Sequence, residues 1–216
     1  IDTAHKAVIL SSLAYGYPVE IGSVYAQGIS DVEQVDILVA AELGYRIKLL
    51  AIIEYRDERT EISVSPTLVP SEHLLAAVDG ENNAVMIDGD VVGETMSYGK
   101  GAGRLPTASA VLADVSEVAV NLATDVSSRL PALVVHDHYG PVRPFDEVSV
   151  RCYIRMALLN SPGVLAKVAG ILGENGISIA SVIQKESVLG EKVPVIFLTQ
   201  EAKKGCYAKA LARINK

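Results

Sequence analysis

The chain has 216 residues, half of them apolar, with 17 glycines, 9 prolines, no tryptophan and a net charge of −7, enough for one large or two modest globular cores. That acidic balance, unrelieved by any run of Lys or Arg, excludes nucleic acid as a partner, because backbone phosphates need a positive field. No apolar stretch reaches the roughly 18 residues of a membrane span. Cys152 and Cys206 fall in a strand-like and a helix-like segment with no metal spacing around them. They read as free thiols in a reducing, cytoplasmic compartment rather than as a bridge or a zinc site.

In chain order, the first predicted element is an amphipathic helix starting at Asp2. Ala4, Ala7, Val8, Leu10 and Leu13 recur at three-and-four spacing, Asp2 or Thr3 supplies the N-cap and Gly16 the stop. Asp2 and Lys6 stand one turn apart on one face. A second helix is predicted over 31–43, with Val32, Val35, Leu38 and Val39 facing a core and Gly44 ending it. Asp36 interrupts that apolar side and reads as a structural hydrogen-bonding group. The period then changes to two. Residues 45–70 alternate around a charged turn at 56–60, and residues 82–99 around Asp88-Gly89-Asp90, which predicts two antiparallel hairpins. Glu42 and Lys48 are read as solvated charges flanking this sheet.

A long helix is predicted from Pro106 to about Leu130. Residues 131–147, broken by prolines and a glycine, read as a linker carrying His136 and His138, an HxH pair with no third metal ligand in view. From there to the C-terminus the order β-α-β-β-α supplies five sixths of a ferredoxin-like unit, its helix stopping at Gly176 and its last strand expected to be missing. The expected fold class is α+β. A mostly antiparallel sheet covered by helices takes 1–130, a linker 131–147, and a ferredoxin-like βαββα(β) domain 148–216.

The stretch SYGKGAGRLPTA, residues 97–108, resembles a phosphate loop but fails both tests. A Walker A loop needs Ser or Thr after its lysine, and Lys100 precedes Gly101; a dinucleotide fingerprint needs a sixth-position glycine, and Arg104 or Pro106 stands there. What survives is local physics. The glycines permit close backbone approach, and Pro106 in the first helical turn leaves amides facing outward. A tight turn without a ligand remains equally open at this point.

Taken jointly, IDTAHKAVIL, GISDVEQVDILVAAELGYRIKLLA, TLVPSEHLLAAVDGENNAVMIDGD and YGKGAGRLPTASAVLADV resemble the catalytic and dimerisation region of homoserine dehydrogenases. The stretch RCYIRMALLNSPGVLAKVAGILGENGISIASVIQKE resembles the ACT regulatory domain that follows it. The resemblance implies an oxidoreductase interconverting L-homoserine and L-aspartate 4-semialdehyde with NAD or NADP. It implies Lys6 and Asp2 as catalytic residues, and Gly101, Ala102 and Gly103 as backbone contacts beside the nicotinamide. It further implies an effector site, for threonine, at Asn160, Ser161, Pro162, Gly163, Val164 and Leu165, and a homo-oligomer of at least two copies. The family's nucleotide-binding domain has no counterpart here, so the chain is expected to be a C-terminal portion, inactive alone and without a tightly bound cofactor. The helix from Pro106 would then expose an apolar face that another chain, a shift of the helix or disorder should cover. The alternative is a stand-alone ACT-type module for amino-acid sensing or dimerisation.

Overall fold

The computed structural model describes residues 2–126, 140–185 and 188–215. In chain order its elements are α1 (Asp2–Tyr15), β1 (Tyr25–Ala26), α2 (Gln34–Glu42), β2 (Tyr45–Arg56), β3 (Arg59–Pro70), β4 (Asn82–Gly89), β5 (Gly93–Lys100) and α3 (Arg104–Ala123). Then follow β6 (Gly140–Val142), β7 (Ser149–Val150), β8 (Tyr153–Leu159), α4 (Val164–Glu174), β9 (Ile179–Gln184), β10 (Lys192–Thr199), β11 (Ala202–Lys203) and α5 (Lys204–Ile214). The α+β class holds. These elements form two compact units that are not contiguous in sequence: residues 2–26, 51–64 and 140–215 make one, and 27–50 with 65–126 make the other.

In the first unit, α1 lies on a small sheet. Ala4 and Ala7 pack with Val19, Val24, Ile62 and Val64 in one buried cluster. Leu10 and Leu13, expected on the buried face, are 41% and 48% exposed, and Ser11 is buried instead. Small side chains face the sheet here because they let helix and strand approach closely. The β2–β3 connection uses two residues, Asp57 at φ 48° and Glu58 at φ 61°, the left-handed pair that a two-residue hairpin demands. The sheet is mixed rather than antiparallel throughout: β1 and β6 both run parallel to β3. Residues 140–142, predicted as linker, are thus a strand. Arg143 beyond it is nearly buried, its Nε 2.9 Å from Glu61 Oε1 and its Nη2 donating to the Arg56 carbonyl at 2.9 Å. Periodicity had no means to find a three-residue strand whose partner is remote in sequence.

The C-terminal part of this unit is a three-stranded antiparallel sheet in the order β8-β10-β9, among the described residues. Val193, Val195 and Phe197 alternate along β10 into a core shared with Val168, Ile171 and Leu172 of α4 and Tyr207 and Ala210 of α5. Each large side chain buried there contributes about 1.5–3 kcal/mol. At the end of α4, the Gly176 N–H donates to the Gly173 carbonyl and the Ile177 N–H to the Leu172 carbonyl. With Gly176 at φ 73° and Ile177 and Leu172 sharing the core, this is a complete Schellman stop. The Tyr207 hydroxyl, buried, bonds Thr199 Oγ1 at 2.6 Å and the carbonyls of Val150 and Gln200, both at 3.1 Å. Lys204 Nζ sits 5.5 Å from the ring centres of both Tyr25 and Phe145, which stack 3.6 Å apart, a cation–π arrangement.

The second unit holds α2, the far ends of β2 and β3, the β4–β5 hairpin and α3. Helix α2 begins at Gln34, three residues later than predicted, and its core face is Asp36, Val39 and Ala40, with Leu38 53% exposed. Asp36 has the structural role read for it: its Oδ2 accepts the Glu33 N–H at 2.9 Å, satisfying an otherwise orphaned donor at the helix start. The β4–β5 register pairs Gly89 with Gly93, so the turn is Asp90–Val92 rather than residues 88–90, and Val91 and Val92 stand exposed at its tip. Lys48 is not a solvated charge. Its side chain is 18% exposed, and its Nζ donates to the Val78 carbonyl at 2.6 Å and pairs with Asp79; Glu42 is exposed. Helix α3 starts at Arg104 and buries no residue at all. The expected cover for its apolar face is not provided by the described residues.

Candidate functional site

Three groups of candidate residues have defined geometry. Asp2 and Lys6 open α1, where one helical turn brings Lys6 Nζ to 2.8 Å from Asp2 Oδ2. The opposite face of the helix is pinned by Ala4, Ala7 and Ser11, so the pair projects outward from a fixed platform, Lys6 63% and Asp2 81% exposed. The Lys6 hydrogen bond, and then its charge, hold the Asp2 carboxyl below its ordinary value. A carboxylate and an ammonium so arranged can hold a hydroxyl or amine between them and pass a proton.

Gly101, Ala102 and Gly103 form the turn from β5 into α3, in the other unit. All three are exposed. Gly103 has φ 111° and ψ 154°, a region essentially limited to glycine. The turn is anchored on Glu81: the Gly101 N–H donates to the Glu81 carbonyl at 3.3 Å, Asn83 Nδ2 donates to the same oxygen at 3.3 Å, and Lys100 Nζ lies 2.6 Å from Glu81 Oε1. The Gly103 carbonyl accepts the Thr107 N–H at 3.1 Å and so begins the ladder of α3. An exposed turn carrying nothing larger than a methyl group lets a flat ring come close to its backbone, as the nicotinamide contact expected from the resemblance would require.

Asn160 to Leu165 connect β8 to α4. Gly163 is left-handed, at φ 89°. Much of this loop is bonded internally. The Asn160 N–H donates to the Glu191 carbonyl at 2.8 Å, the Ser161 N–H to the Leu159 carbonyl and the Val164 N–H to the Ser161 carbonyl. The Asn160 side chain donates to the Val188 carbonyl and accepts from Gln184 Nε2. The free amides and free polar side chain expected here are therefore partly committed to holding the loop against residues 188–191.

Asp2 meets Lys6, and residues 160–165 share their unit; the 101–103 turn belongs to the other. Glu81, Asn83 and Lys48 were not singled out as site residues by the sequence, since an Asn or Glu in a turn signals only the turn. Among the described residues no group of three or more His, Cys, Asp or Glu is placed to hold a metal, and His136 and His138 lie outside those residues. Cys152 and Cys206 are unpaired and half-buried, and burial pushes the Cys152 thiol up. No helix among the described residues is long and apolar enough to cross a membrane.

Comparison with known proteins places most of the chain within two family models. The homoserine dehydrogenase family model matches residues 1–116 and the ACT domain model residues 153–203. The homoserine dehydrogenase of Pseudomonas aeruginosa is 43% identical, aligned over 92% of this chain and 47% of its own length; that of Neisseria gonorrhoeae is 39% identical, over 99% and 50%. The chain thus spans about half the length of the curated relatives it matches. The crystal structure of a homoserine dehydrogenase from Thiobacillus denitrificans superimposes with a TM-score of 0.85 at 41% identity, covering 99% of this chain and 49% of that one. With Asp2, Lys6 and the glycine turn inside the first match and the 160–165 loop inside the second, the chain belongs to the homoserine dehydrogenase family.

Proposed function

We propose that the chain is the substrate-binding and regulatory part of an NAD(P)-dependent homoserine dehydrogenase, which interconverts L-homoserine and L-aspartate 4-semialdehyde on the route to threonine, methionine and isoleucine. The observation that carries this reading is the 2.8 Å pairing of Asp2 and Lys6 on a helix whose other face is locked to the sheet. Oxidation of a primary alcohol such as homoserine to the aldehyde removes a hydride from carbon and a proton from oxygen. Lys6 Nζ, within hydrogen-bond reach of that oxygen, relays the proton and steadies the charge that develops on it. Asp2 holds the ammonium and orients the substrate hydroxyl or amine. The nicotinamide ring supplies the hydride acceptor when bound, and the backbone of Gly101, Ala102 and Gly103 gives it a side wall.

Residues 1–130 form the catalytic and dimerisation region in this reading, 131–147 the connection and 148–216 the regulatory domain. The enzyme works as at least a dimer in the cytoplasm, consistent with its two unpaired cysteines. Residues 160–165 take an amino-acid effector, threonine, with Gly163 and the start of α4 toward its carboxylate.

The test is Lys6→Ala in the full-length enzyme. Turnover is expected to fall at least about a hundredfold while the cofactor dissociation constant stays within about twofold; near-normal turnover would remove the assignment. Isothermal titration of the full-length protein with threonine is expected to release heat. Silence at millimolar threonine would leave the C-terminal domain a scaffold.

A further inference from the structure

A glycine-rich turn beside a ligand is ordinarily explained by the ligand, which needs the space a side chain would fill. The two glycines flanking Ala102 do not share one explanation. At Gly103 the backbone conformation is the constraint, since φ is 111°. A Cβ there would meet Pro106 and Glu81 atoms only at 3.5–3.8 Å, ordinary contact distances. At Gly101 the constraint is space, and it comes from inside the protein. A Cβ on Gly101 would fall 2.6 Å from Asn83 Cγ and 3.0 Å from Asn83 Cβ, with the side-chain nitrogen closer still. Carbon atoms do not approach that closely.

The geometry shows why Asn83 is there. Asn82 pairs with Lys100 on the last rung of the β4–β5 ladder, and Asn83 with Gly99. Gly101 is the first residue off the ladder. Its N–H turns back to the Glu81 carbonyl, and the Asn83 side-chain amide, donating to the same oxygen, lies directly against its Cα. The chain leaves the sheet by folding over the Asn83 amide. A shorter side chain at 83 would leave the turn unsupported, and any side chain at 101 would lift it.

We propose that Asn83 is the positioning residue of the 101–103 turn, and that position 101 is glycine to seat Asn83 rather than to admit a ligand. Asn83 acts through the backbone it supports. The proposal rests on the reading that this turn borders the nicotinamide, and the experiment separates the two.

Five variants of the full-length enzyme are compared: Gly101→Ala, Asn83→Ala, the two combined, Gly103→Ala, and Gly103→Ala with Asn83→Ala. Gly101→Ala is expected to raise the cofactor KM about tenfold, and Asn83→Ala a few-fold. In the double variant the added methyl enters space the amide has vacated, so its KM returns to within about threefold of Asn83→Ala alone, a strong departure from additivity. Gly103→Ala gains nothing from Asn83→Ala. A double variant as poor as Gly101→Ala, or worse, overturns the proposal: the methyl then strikes the ligand, and the nicotinamide placement stands. A cofactor KM that is flat across all five variants, with melting temperatures that fall and recover, overturns both, leaving a packing pair remote from the chemistry. If Gly101→Ala does not yield folded protein, the double variant decides, since folded enzyme with a near-normal cofactor KM supports the proposal and its absence overturns it. Hydrogen exchange at the Gly101 amide, measured without cofactor, is expected to quicken in Asn83→Ala.

Discussion

Helices α3 and α4 carry the same statement in their sequences and meet opposite surroundings. In α4, eleven residues place Val168, Ile171 and Leu172 into a core closed by β10 and α5. In α3, twenty residues bury nothing, and Leu112, Val115 and Val118 are 63%, 57% and 57% exposed. An apolar stripe declares that a helix needs a complementary surface; it does not say which polypeptide provides one. The partner of α4 lies a few tens of residues along the same chain. For α3 the described residues provide none.

That contrast is open to direct attack by mutation. Leu172→Ala, at a position with no exposure, is expected to cost about 3 kcal/mol of unfolding free energy, read by chemical denaturation. A loss under about 1 kcal/mol would mean that α4 is no better seated than α3. Tyr207→Phe is expected to cost about 1–2 kcal/mol, because it strips the partner from the buried Thr199 hydroxyl and removes the one O–H that the Val150 and Gln200 carbonyls share. The same hydroxyl gives a pH signature. Burial pushes it up to about 12, against about 10 for a free tyrosine. The unfolded chain therefore ionises first, and the contribution of this group is whole below pH about 10 and lost as pH rises to about 12. Tyr207→Phe should flatten the slope of stability against pH in that window, apart from what the similarly raised Cys152 contributes. The smallest effect belongs to α3: Leu112→Ala in the 216-residue chain is expected to shift stability by less than about 0.5 kcal/mol. A cost matching that of Leu172→Ala would show that α3 has a packed face after all.

What the sequence disclosed follows the reach of the interactions involved. Stops at Gly16, Gly44 and Gly176 were legible because a left-handed residue at a helix end is a local requirement. So were both hairpins, the role of Asp36 and the order of the C-terminal domain. The identity of Asp2 and Lys6 as a pair was legible from spacing; the chemistry proposed for them comes from the resemblance alone. Lys48 was misread because its partners, Val78 and Asp79, lie about thirty residues on. The β6 strand was missed because a three-residue run with a proline at its centre carries no period of its own. Asn83 was passed over because nothing in an Asn-Asn pair announces that one of them will support a glycine across a hairpin. In each miss the deciding contact was between residues far apart in number.

The β3–β6 pairing fixes when the first unit can be finished. Thr60 must find Val142, closing a loop of roughly eighty residues, and pairing at that separation comes late and slowly. On a ribosome the N-terminal helix therefore emerges long before the last strand of the sheet beneath it has been made. Through that interval the outer edge of β3 is open, so refolding at high protein concentration invites another copy's strand to take the place reserved for β6.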